Sequence, residues 1–514
     1  MKYFLGLDVG TTGAKALLVD AYGKVVANAT REYPMYTPRP LWTEQDPADW
    51  WQATRDSFAA VLRKTRVAAG EIGGIGLTGQ MHGLVLLDKS GRVLRPCIMW
   101  NDQRTMSQCS QITDAVGWEQ LLQITGNPVL PGFTAPKLLW VRENEPHIYD
   151  RIARILLPKD YIRYRLTDDF ATDVADASGT SLLDVKARNW SRSLSAKLEV
   201  SADWLPRVYE SPEITGEVTD SAAAATGLAI GTPVVAGAGD QAAGAVGSGT
   251  VVPGVTSLVL GTSGVVFACT PEVKIEPQGR LHAFCHAVPG AWHVMGVTLA
   301  AGGSFRWYRD VFGQEEVAAA KAQGADSYDI LTAKAESVPT GSEGLLFLPY
   351  LSGERTPYAD PTARGVFFGM TLRHQRPHFV RAVMEGITYS LRDCLELIDN
   401  LGLGVDQIRA SGGGAASKLW RQIMADVFGK ELVTLTCTEG APYGAALLSA
   451  VGTGHFGTVE EACDATVEIA THTEPISDSV KCYEEYYALY RSLYPKLKDS
   501  FAEAATIAEK TYHE

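Results

Sequence analysis

Two distant segments of the chain follow the same plan, and this repeat limits the possible folds more than any other feature of the sequence. Residues 3–20, YFLGLDVGTTGAKALLVD, are two short apolar runs joined by a Gly/Thr turn. Residues 257–269, SLVLGTSGVVFAC, again place a Gly-Thr-x-Gly turn between two apolar runs. Short apolar runs that end at turn residues predict buried strands. Because each copy opens one half of the chain, we expect duplicated domains at 1–251 and 252–514.

The segments between the strands have helical periodicity. DPADWWQATRDSFAAVLRK starts with Asp46 at the N-cap and Pro47 in the first turn. A chain of 514 residues is too long for one hydrophobic core, so two domains are expected. Strands that alternate with such helices predict an α/β fold. The predicted helices cover residues 46–64, 378–399, 416–429 and 483–505, the last as far as Pro495 and beyond it.

Charge and cysteine content indicate a class of protein and a compartment. The formal net charge is −13 without any run of Lys or Arg, which argues against binding to nucleic acid or a membrane surface. Eight cysteines without a C-x-x-C pair are typical of reduced thiols. Asp8 comes too early for a signal peptide, and prolines and Asp240 interrupt the long small-residue stretch. We therefore expect a cytoplasmic protein with no membrane span.

Two nucleotide-binding motifs are matched only in part. GIGLTG, residues 74–79, has the spacing G-x-G-x-x-G, but the strand-like run QMHGLVLLD follows where a dinucleotide fold needs a helix. GTTGAK, residues 10–15, lacks the P-loop spacing and is followed by the strand ALLVD. We expect no dinucleotide fold, and we interpret residues 10–15 as the turn of a hairpin.

A hairpin turn of this kind can still bind phosphate. Successive backbone N–H groups of a Gly-rich turn form a concavity for anions, to which Thr11, Thr12 and Lys15 would add donors and charge. Asp8, just before the turn, is placed to hold a divalent metal through water, as Mg²⁺ prefers. The alternative is a tight hairpin without a bound phosphate, in which the glycines only allow a positive φ and Asp8 caps the turn. The second copy at 261–264 favours phosphate binding, because two such turns could hold a polyphosphate.

Two further glycine turns precede predicted helices. Residues 411–414, SGGG, come before a helix that is expected from Ala415, and residues 301–304, AGGS, come before FRWYRDVFG. Glycines let a flat ligand approach the backbone, and a helix N-terminus offers free N–H groups. The alternative is that these loops merely pack under neighbouring helices.

Asp240 is the one charged residue between Ser221 and Pro271. In a water-poor site lined by Gly and Ala, such a carboxylate can act as a general base that orients an attacking hydroxyl and takes its proton late in phosphoryl transfer. The alternative is that Asp240 caps the helix that AAGAVG begins, which is the commonest use of Asp before an Ala run. The two roles are compatible.

A polar cluster in an apolar setting indicates a polyol site. GQMHG, residues 79–83, exposes Gln80, Met81 and His82 between two glycines. Trp100 opens a second polar segment, and Gln241 follows Asp240. Mixtures of amide, imidazole and aromatic groups are usual around neutral polyols. The alternative for His82 is a structural role at the end of a strand.

Together these motifs give the chain a resemblance to the FGGY family of carbohydrate kinases. The resemblance covers about residues 3–455, nearly the whole chain. Its motifs occur in the order of the family: GLDVGTTGAKALLVD, WTEQDPADWW, GLTGQMHGLVLLD, RPCIMWNDQRT, LPKDYIRYRLT, ATDVADASGTSLLDV, GAGDQAAGAVG, LVLGTSG, LPYLSGERTPYADPTARG and ASGGGAASKLWRQIMADVFG.

The resemblance implies a fold, a reaction and a set of site residues. The fold is two ribonuclease-H-like domains of the actin and hexokinase type flanking a catalytic cleft. The reaction is ATP-dependent phosphorylation of the 5-hydroxyl of D-xylulose, with Asp240 as base. Met81 and His82 match the sugar-contacting pair, and Asp8 matches the metal-linked carboxylate, so Asp8 and Asp240 are the expected residues for Mg²⁺. The positions that match the family's ATP site are Gly261, Thr262, Gly302, Gly413 and Gly414.

The identity of the sugar, a non-catalytic role and the oligomeric state remain open questions. Gln241 stands where many relatives carry Asn, so a kinase for ribulose, gluconate or glycerol is the next hypothesis. A non-catalytic actin-like module that binds nucleotide or sugar is the third. The ligands are expected to be a sugar and ATP, without nucleic acid or membrane, and the choice between monomer and homodimer is open.

Overall fold

A computed structural model describes residues 2–512 of the chain. The strands are β1 (Tyr3–Val9), β2 (Gly13–Asp20), β3 (Val25–Glu32), β4 (Glu44–Gln45), β5 (Ile72–Gly79), β6 (Val85–Leu87), β7 (Cys97–Ile98), β8 (Arg154–Leu156), β9 (Ala171–Asp173), β10 (Leu183–Asp184), β11 (Asn189–Trp190), β12 (Arg207–Tyr209), β13 (Ile214–Glu217), β14 (Pro233–Val235), β15 (Ala238–Gly239), β16 (Gly254–Leu260), β17 (Gly264–Thr270), β18 (His282–Cys285), β19 (Trp292–Thr298), β20 (Leu346–Leu348), β21 (Val366–Phe368), β22 (Val405–Ser411), β23 (Glu431–Leu435) and β24 (Ile469–Thr473).

The helices alternate with these strands along the chain, as the periodicity predicts. They are α1 (Pro47–Thr65), α2 (Met106–Val116), α3 (Trp118–Thr125), α4 (Thr134–Asn144), α5 (Pro146–Tyr149), α6 (Pro158–Thr167), α7 (Val174–Ser178), α8 (Arg192–Lys197), α9 (Asp220–Thr226), α10 (Asp240–Gly247), α11 (Gly302–Phe312), α12 (Gln314–Gln323), α13 (Ser327–Ala335), α14 (Arg376–Asn400), α15 (Lys418–Phe428), α16 (Ala441–Gly452), α17 (Val459–Thr466) and α18 (Ser477–Tyr512). No helix within the described part of the chain is both long and apolar enough to span a bilayer.

The chain forms two compact units. The first comprises residues 1–252, 269–293 and 439–468, and the second comprises 253–268, 294–438 and 469–514. The chain first passes from one unit to the other after residue 252, and two later segments belong to the first unit. The division into sequence domains at 251/252 stays a prediction.

The first unit is built on a mixed sheet. Its strand order is β13-β14-β5-β1-β2-β3, and the short strand β15 also pairs with β5. β1 runs antiparallel to β2 and parallel to β5, and β5 runs parallel to β14, which is antiparallel to β13. The predicted hairpin at residues 3–20 is therefore confirmed as β1 and β2.

The second unit repeats this arrangement. Six strands of its sheet lie in the order β19-β17-β16-β22-β23-β24. β16 is antiparallel to β17 and parallel to β22, and β22 is parallel to β23, which is antiparallel to β24. In these four pairings the strand directions match those of β1 with β2, β1 with β5, β5 with β14 and β14 with β13, so the repeat seen in the sequence is a duplicated α/β topology.

Glycines in β1 and β5 allow close packing of α16 on the first sheet. A Cβ atom built on Gly6 would overlap the backbone carbonyl of Pro442, and one on Gly76 would overlap that of Ala445. GIGLTG therefore lies inside β5 and serves this helix–sheet contact. Its match to the dinucleotide motif has no structural counterpart, as expected, because no helix opens after Gly79.

Local signals place several helix ends correctly. Asp46 caps α1 by accepting a hydrogen bond from the Ala48 N–H at 2.9 Å. α18 continues through Pro495, as the sequence suggested. One helix start differs from the expectation: α15 begins at Lys418 rather than Ala415, because Gly412 has a φ of +84° and a 3₁₀ turn follows it.

Candidate active site

The candidate site of the first unit lies at the carboxyl ends of three parallel strands. Val9 at the end of β1 pairs with Gly79 at the end of β5, and Gly79 pairs with Gly239 at the end of β15. The residues that follow these strands therefore meet at one edge of the sheet, where ligands bind in open α/β folds. This edge brings together the first glycine turn, the 79–83 segment and Asp240.

Asp240 is the first residue of α10, and Gly239 occupies the N-cap position. The helix has no side-chain capping hydrogen bond, so Asp240 does not cap it in the manner of an N-cap aspartate. The side chain is half-buried. Burial raises the pKa of Asp240 to about 6, and hydrogen bonds from Gln241 work against this rise. A carboxylate with a raised pKa is a stronger proton acceptor than a solvated one.

Asp8 lies close enough to Asp240 for the two charges to interact. Burial and the charge of Asp240 raise the pKa of Asp8 to about 7, while Lys15 lowers it. The Oδ1 atom of Asp8 is buried and has no hydrogen-bond partner among residues 2–512. Two neighbouring carboxylates, one with an unpartnered buried oxygen, are a donor set that fits a hard cation such as Mg²⁺. The residues present therefore fit the predicted metal.

The backbone of the first turn does not require its glycines to have a positive φ. Gly10 donates its N–H to the Gly13 carbonyl at 3.1 Å, and neither glycine is in the left-handed region. A Cβ on Gly13 would lie 2.6 Å from the Arg31 carbonyl, so packing explains that glycine. A Cβ on Gly10 would make only ordinary contacts, the nearest at 3.4 Å. The absence of a side chain at Gly10 fits close approach of a ligand to the backbone.

Lys15 has a protein partner in this structure. Its ammonium forms an ion pair with Glu439, which also accepts a hydrogen bond from the Asn28 amide at 2.9 Å. Glu439 directly precedes Gly440, the N-cap residue of α16. Whether Lys15 adds charge to a bound phosphate stays a prediction.

Gln45, which was not predicted from the sequence as a site residue, connects the first turn to the 79–83 segment. Gln45 is fully buried and donates to the Thr11 carbonyl at 2.7 Å. The side-chain carbonyl oxygen of Gln45 accepts hydrogen bonds from the Gln80 side-chain amide at 2.9 Å and from the Trp50 indole at 3.0 Å. Gln80 is only 2% exposed, so it lies in this network rather than at an open surface. The signal available in the sequence was a Gln beside the helix-capping Asp46.

Met81 and His82 follow Gln80 at the same edge. Met81 is buried, whereas His82 is half-buried with a φ of +70°, which is unusual for a residue with a side chain. The Nδ1 atom of His82 lies 2.7 Å from the Gly179 carbonyl, and its ring stacks on Phe133 with 4.6 Å between centroids. A Cβ on Gly179 would overlap the imidazole. Phe133 and Gly179 are thus site residues that the sequence did not reveal.

Trp100 is 39% exposed and reaches the first turn. Its indole N–H donates to the Thr11 hydroxyl at 3.0 Å. Two ion pairs fix the segment that follows Trp100. Arg104 pairs with Asp102 at 2.7 Å and with Glu44 at 2.8 Å. Thr12, by contrast, is exposed.

The second unit contains a cavity of about 440 Å³ at its own glycine turns. This volume lies in the range of small-molecule sites. The cavity walls include all five positions that the sequence predicts for the nucleotide, namely Gly261, Thr262, Gly302, Gly413 and Gly414. Further walls that the sequence did not identify come from Phe305, Arg306, Tyr328, Asp329 and Trp420. The aromatic faces offer stacking surface for a flat base.

Hydrogen bonds join two glycine turns of this cavity. The Gly302 N–H donates to the Gly261 carbonyl, and the Gly303 N–H donates to the Thr262 carbonyl, both at 2.9 Å. A Cβ on Gly302 would overlap the Gly261 carbonyl, so this glycine is required by the contact between the turns. A Cβ on Gly413 would meet nothing within 4 Å, although Gly413 lines the cavity. Its open side fits a ligand lying against the backbone.

Comparison with known proteins gives matches over almost the whole chain. Residues 3–247 match the N-terminal domain, and residues 256–453 the C-terminal domain, of the FGGY family of carbohydrate kinases. A xylulose kinase from Bacillus subtilis (strain 168) is 41% identical over 499 residues, which are 97% of this chain and 98% of the relative. A gluconokinase from the same organism is 32% identical over 98% of both chains.

The fold comparison agrees with these matches. The crystal structure of xylulose kinase from Rhodospirillum rubrum superposes with a TM-score of 0.90 and 33% identity, covering 98% of this chain and 100% of that chain. The two-domain α/β fold that the resemblance implied, of the actin and hexokinase type, is therefore confirmed.

Proposed function

The chain belongs to the FGGY family of carbohydrate kinases, and from this premise we propose that it phosphorylates D-xylulose with ATP to give D-xylulose 5-phosphate. The observation that carries the proposal is the half-buried Asp240 carboxylate beside Asp8, at the carboxyl edge of β1, β5 and β15. The 41% identity to a xylulose kinase supports the choice of sugar.

Asp240 acts as the general base in this proposal. Its carboxylate orients the sugar hydroxyl and accepts its proton as the oxygen attacks the terminal phosphorus of ATP. The bond from that phosphorus to the bridging oxygen breaks, and ADP takes the electron pair. Met81, His82, Trp100 and Gln241 surround the sugar, and Gln80 supports them through Gln45.

The ATP phosphates are proposed to bind at the glycine turns through backbone N–H groups, which suits a protein whose net charge is −13. Gly261, Thr262, Gly302, Gly413 and Gly414 hold the nucleotide. Thr11, Thr12 and Lys15 of the first turn face its terminal phosphate in this proposal. Asp8, with Asp240 beside it, would hold Mg²⁺, which would supply positive charge to stabilise the phosphate oxygens.

A cytoplasmic location accords with the cysteines. None of the eight, all of which lie within residues 2–512, takes part in a disulfide, and six are buried. Such a set is usual in a reducing compartment.

The proposal is tested by measuring sugar-dependent ADP release. The panel consists of D-xylulose, D-ribulose, gluconate and glycerol, with a reaction lacking sugar as control. We expect the highest kcat/KM with D-xylulose. A higher value with another member would change the assigned sugar. Nucleotide binding without ADP release in the presence of any of these sugars would favour the non-catalytic module instead.

Gly302→Ala is expected to raise the KM for ATP by about tenfold or more, because the added methyl overlaps the Gly261 carbonyl and separates two turns that line the same cavity. Steady-state kinetics at saturating sugar measure the effect. Gly404→Ala is the matched control, since its Cβ would meet nothing within 4 Å and the residue lies outside the cavity. An unchanged KM for ATP in Gly302→Ala would remove Gly302 from the proposed nucleotide site.

A further inference from the structure

Lys137 is a fully buried lysine without an acidic partner. It lies on the second turn of α4, and its side chain is 0% exposed. Within residues 2–512 no carboxylate forms an ion pair with it, although the charge of Asp102 acts on it from a greater distance. Burial lowers the pKa of Lys137 to about 7. An unpaired buried ammonium costs stability, and such groups concentrate at functional sites.

The hydrogen bonds of Lys137 end on the candidate sugar site. Its Nζ donates to the His82 carbonyl at 2.9 Å and to the Gly132 carbonyl at 2.7 Å. The same His82 carbonyl accepts the Thr134 hydroxyl at 3.0 Å. Phe133, directly before α4, stacks on the His82 ring. The start of α4 therefore holds both the backbone and the imidazole of one residue.

The backbone of His82 needs such support. Its φ of +70° lies in the left-handed region, which costs a non-glycine residue about 1–2 kcal/mol unless surrounding contacts impose it. Two donors on one carbonyl are contacts of that kind. They fix the peptide plane and with it the direction in which the imidazole leaves the chain.

The second acceptor connects Lys137 to the other polar segment. Gly132 lies against Trp100, because a Cβ there would overlap the Trp100 carbonyl. Trp100 in turn donates to the Thr11 hydroxyl of the first turn. One ammonium thus joins the 79–83 segment to the stretch of backbone that packs against Trp100.

We propose that Lys137 is a positioning residue for sugar binding, which holds the His82 backbone and the Gly132 loop in the arrangement that receives the sugar without touching the sugar itself. This inference rests on the proposed function, since it takes His82 as a sugar contact. Lys137 lies among apolar residues of a helix, and no motif in the sequence identifies it as a residue of the site.

Lys137→Met tests the proposal, because Met keeps most of the buried volume and removes every donor. Loss of a donor to a buried carbonyl is expected to raise the KM for D-xylulose by roughly 5- to 100-fold. The KM for ATP should change by less than about twofold, since the nucleotide positions lie elsewhere in the chain. Thr134→Val removes the other donor to the same carbonyl and should raise the KM for D-xylulose by roughly 2- to 10-fold.

A double-mutant cycle separates positioning from general destabilisation. In a His82→Ala background, Lys137→Met should raise the KM for D-xylulose by a smaller factor than in the unmodified protein, because the ring that it positions is gone and only its contact with the Gly132 loop remains. Lys89→Met, at an exposed lysine, is the control for loss of charge. The inference would be overturned if Lys137→Met changed the KM for D-xylulose by the same factor in both backgrounds. It would also be overturned if neither Lys137→Met nor Thr134→Val changed this KM. The proposed function would stand in both cases. Absence of sugar-dependent turnover in the unmodified protein would overturn both.

Discussion

Asp240→Asn lowers kcat for D-xylulose phosphorylation by ~10²–10⁴-fold, because the amide cannot accept the proton of the attacking hydroxyl. The volume of the side chain and its place at the first position of α10 are unchanged. Sugar and nucleotide binding are therefore expected to survive, and calorimetric titration with each ligand verifies this. The coupled ADP assay measures the loss of turnover.

Asp220→Asn is a matched control for this substitution. Asp220 is likewise the first residue of a helix, α9, but it is exposed. Replacing it should leave kcat within about twofold of the unmodified protein, since an exposed charge at a helix N-terminus contributes only about 0.3–1 kcal/mol to stability. If Asp240→Asn kept more than about a tenth of the original kcat, Asp240 would not be the base.

Lys159→Met is expected to lower the free energy of unfolding by about 3–5 kcal/mol, because it leaves the buried carboxylates of Asp173 and Asp176 without their counter-charge. Lys159 contacts Asp160 and Asp173 at 2.6 Å and Asp176 at 3.3 Å, and all four side chains are 0% exposed. The three carboxylates supply oxygens within 4.8 Å of one another. Lys159 pairs with all three, whereas Arg163 pairs with Asp160 at 3.3 Å. Urea denaturation at neutral pH measures the loss.

The loss should depend on pH in a defined direction. Burial raises the pKa values of Asp173 and Asp176, and Lys159 counteracts that rise. Without Lys159 the folded-state pKa values rise further, so the folded protein takes up protons more readily than the unfolded chain. Stability of the variant then falls as pH increases above the unfolded value of about 4 and recovers on acidification.

Unfolding free energies at about pH 5 and about pH 8 test this sign, because the deficit relative to the unmodified protein should be smaller at the lower pH. Lys89→Met, which removes an exposed lysine, should lower the free energy of unfolding by less than about 0.5 kcal/mol at either pH. A deficit in Lys159→Met below about 1 kcal/mol, or one that does not change with pH, would mean that the cluster does not depend on its ammonium.

Local patterns in the sequence were enough to predict the architecture. The strand–turn–strand repeat at 3–20 and 257–269 became β1–β2 and β16–β17, because short apolar runs between turn residues have few other ways to be buried. Asp46 and Pro47 located the start of α1 for the same local reason. Near the 411–414 turn the expectation was three residues early, since the left-handed Gly412 and the 3₁₀ turn depend on packing against Leu260.

The site could be predicted only where a residue is unusual within its own segment. Asp240 stands out because its neighbours in sequence are small and uncharged. Gln45, Lys137 and Gly179 do not stand out, because their roles come from contacts with residues distant in the chain. The Gln45 contact to Gln80 spans 35 positions, and the His82 contact to Gly179 spans 97. No periodicity or spacing rule encodes such pairs.

The most direct test of the central claim is to identify the product that forms from D-xylulose and ATP by phosphorus NMR. We expect the unmodified protein to form a sugar phosphate esterified at the 5-hydroxyl, in an amount equal to the ADP released. We also expect Asp240→Asn to form no detectable sugar phosphate over the same time. Release of ADP with inorganic phosphate in place of a sugar phosphate, or phosphorylation by Asp240→Asn at an undiminished rate, would contradict the central claim.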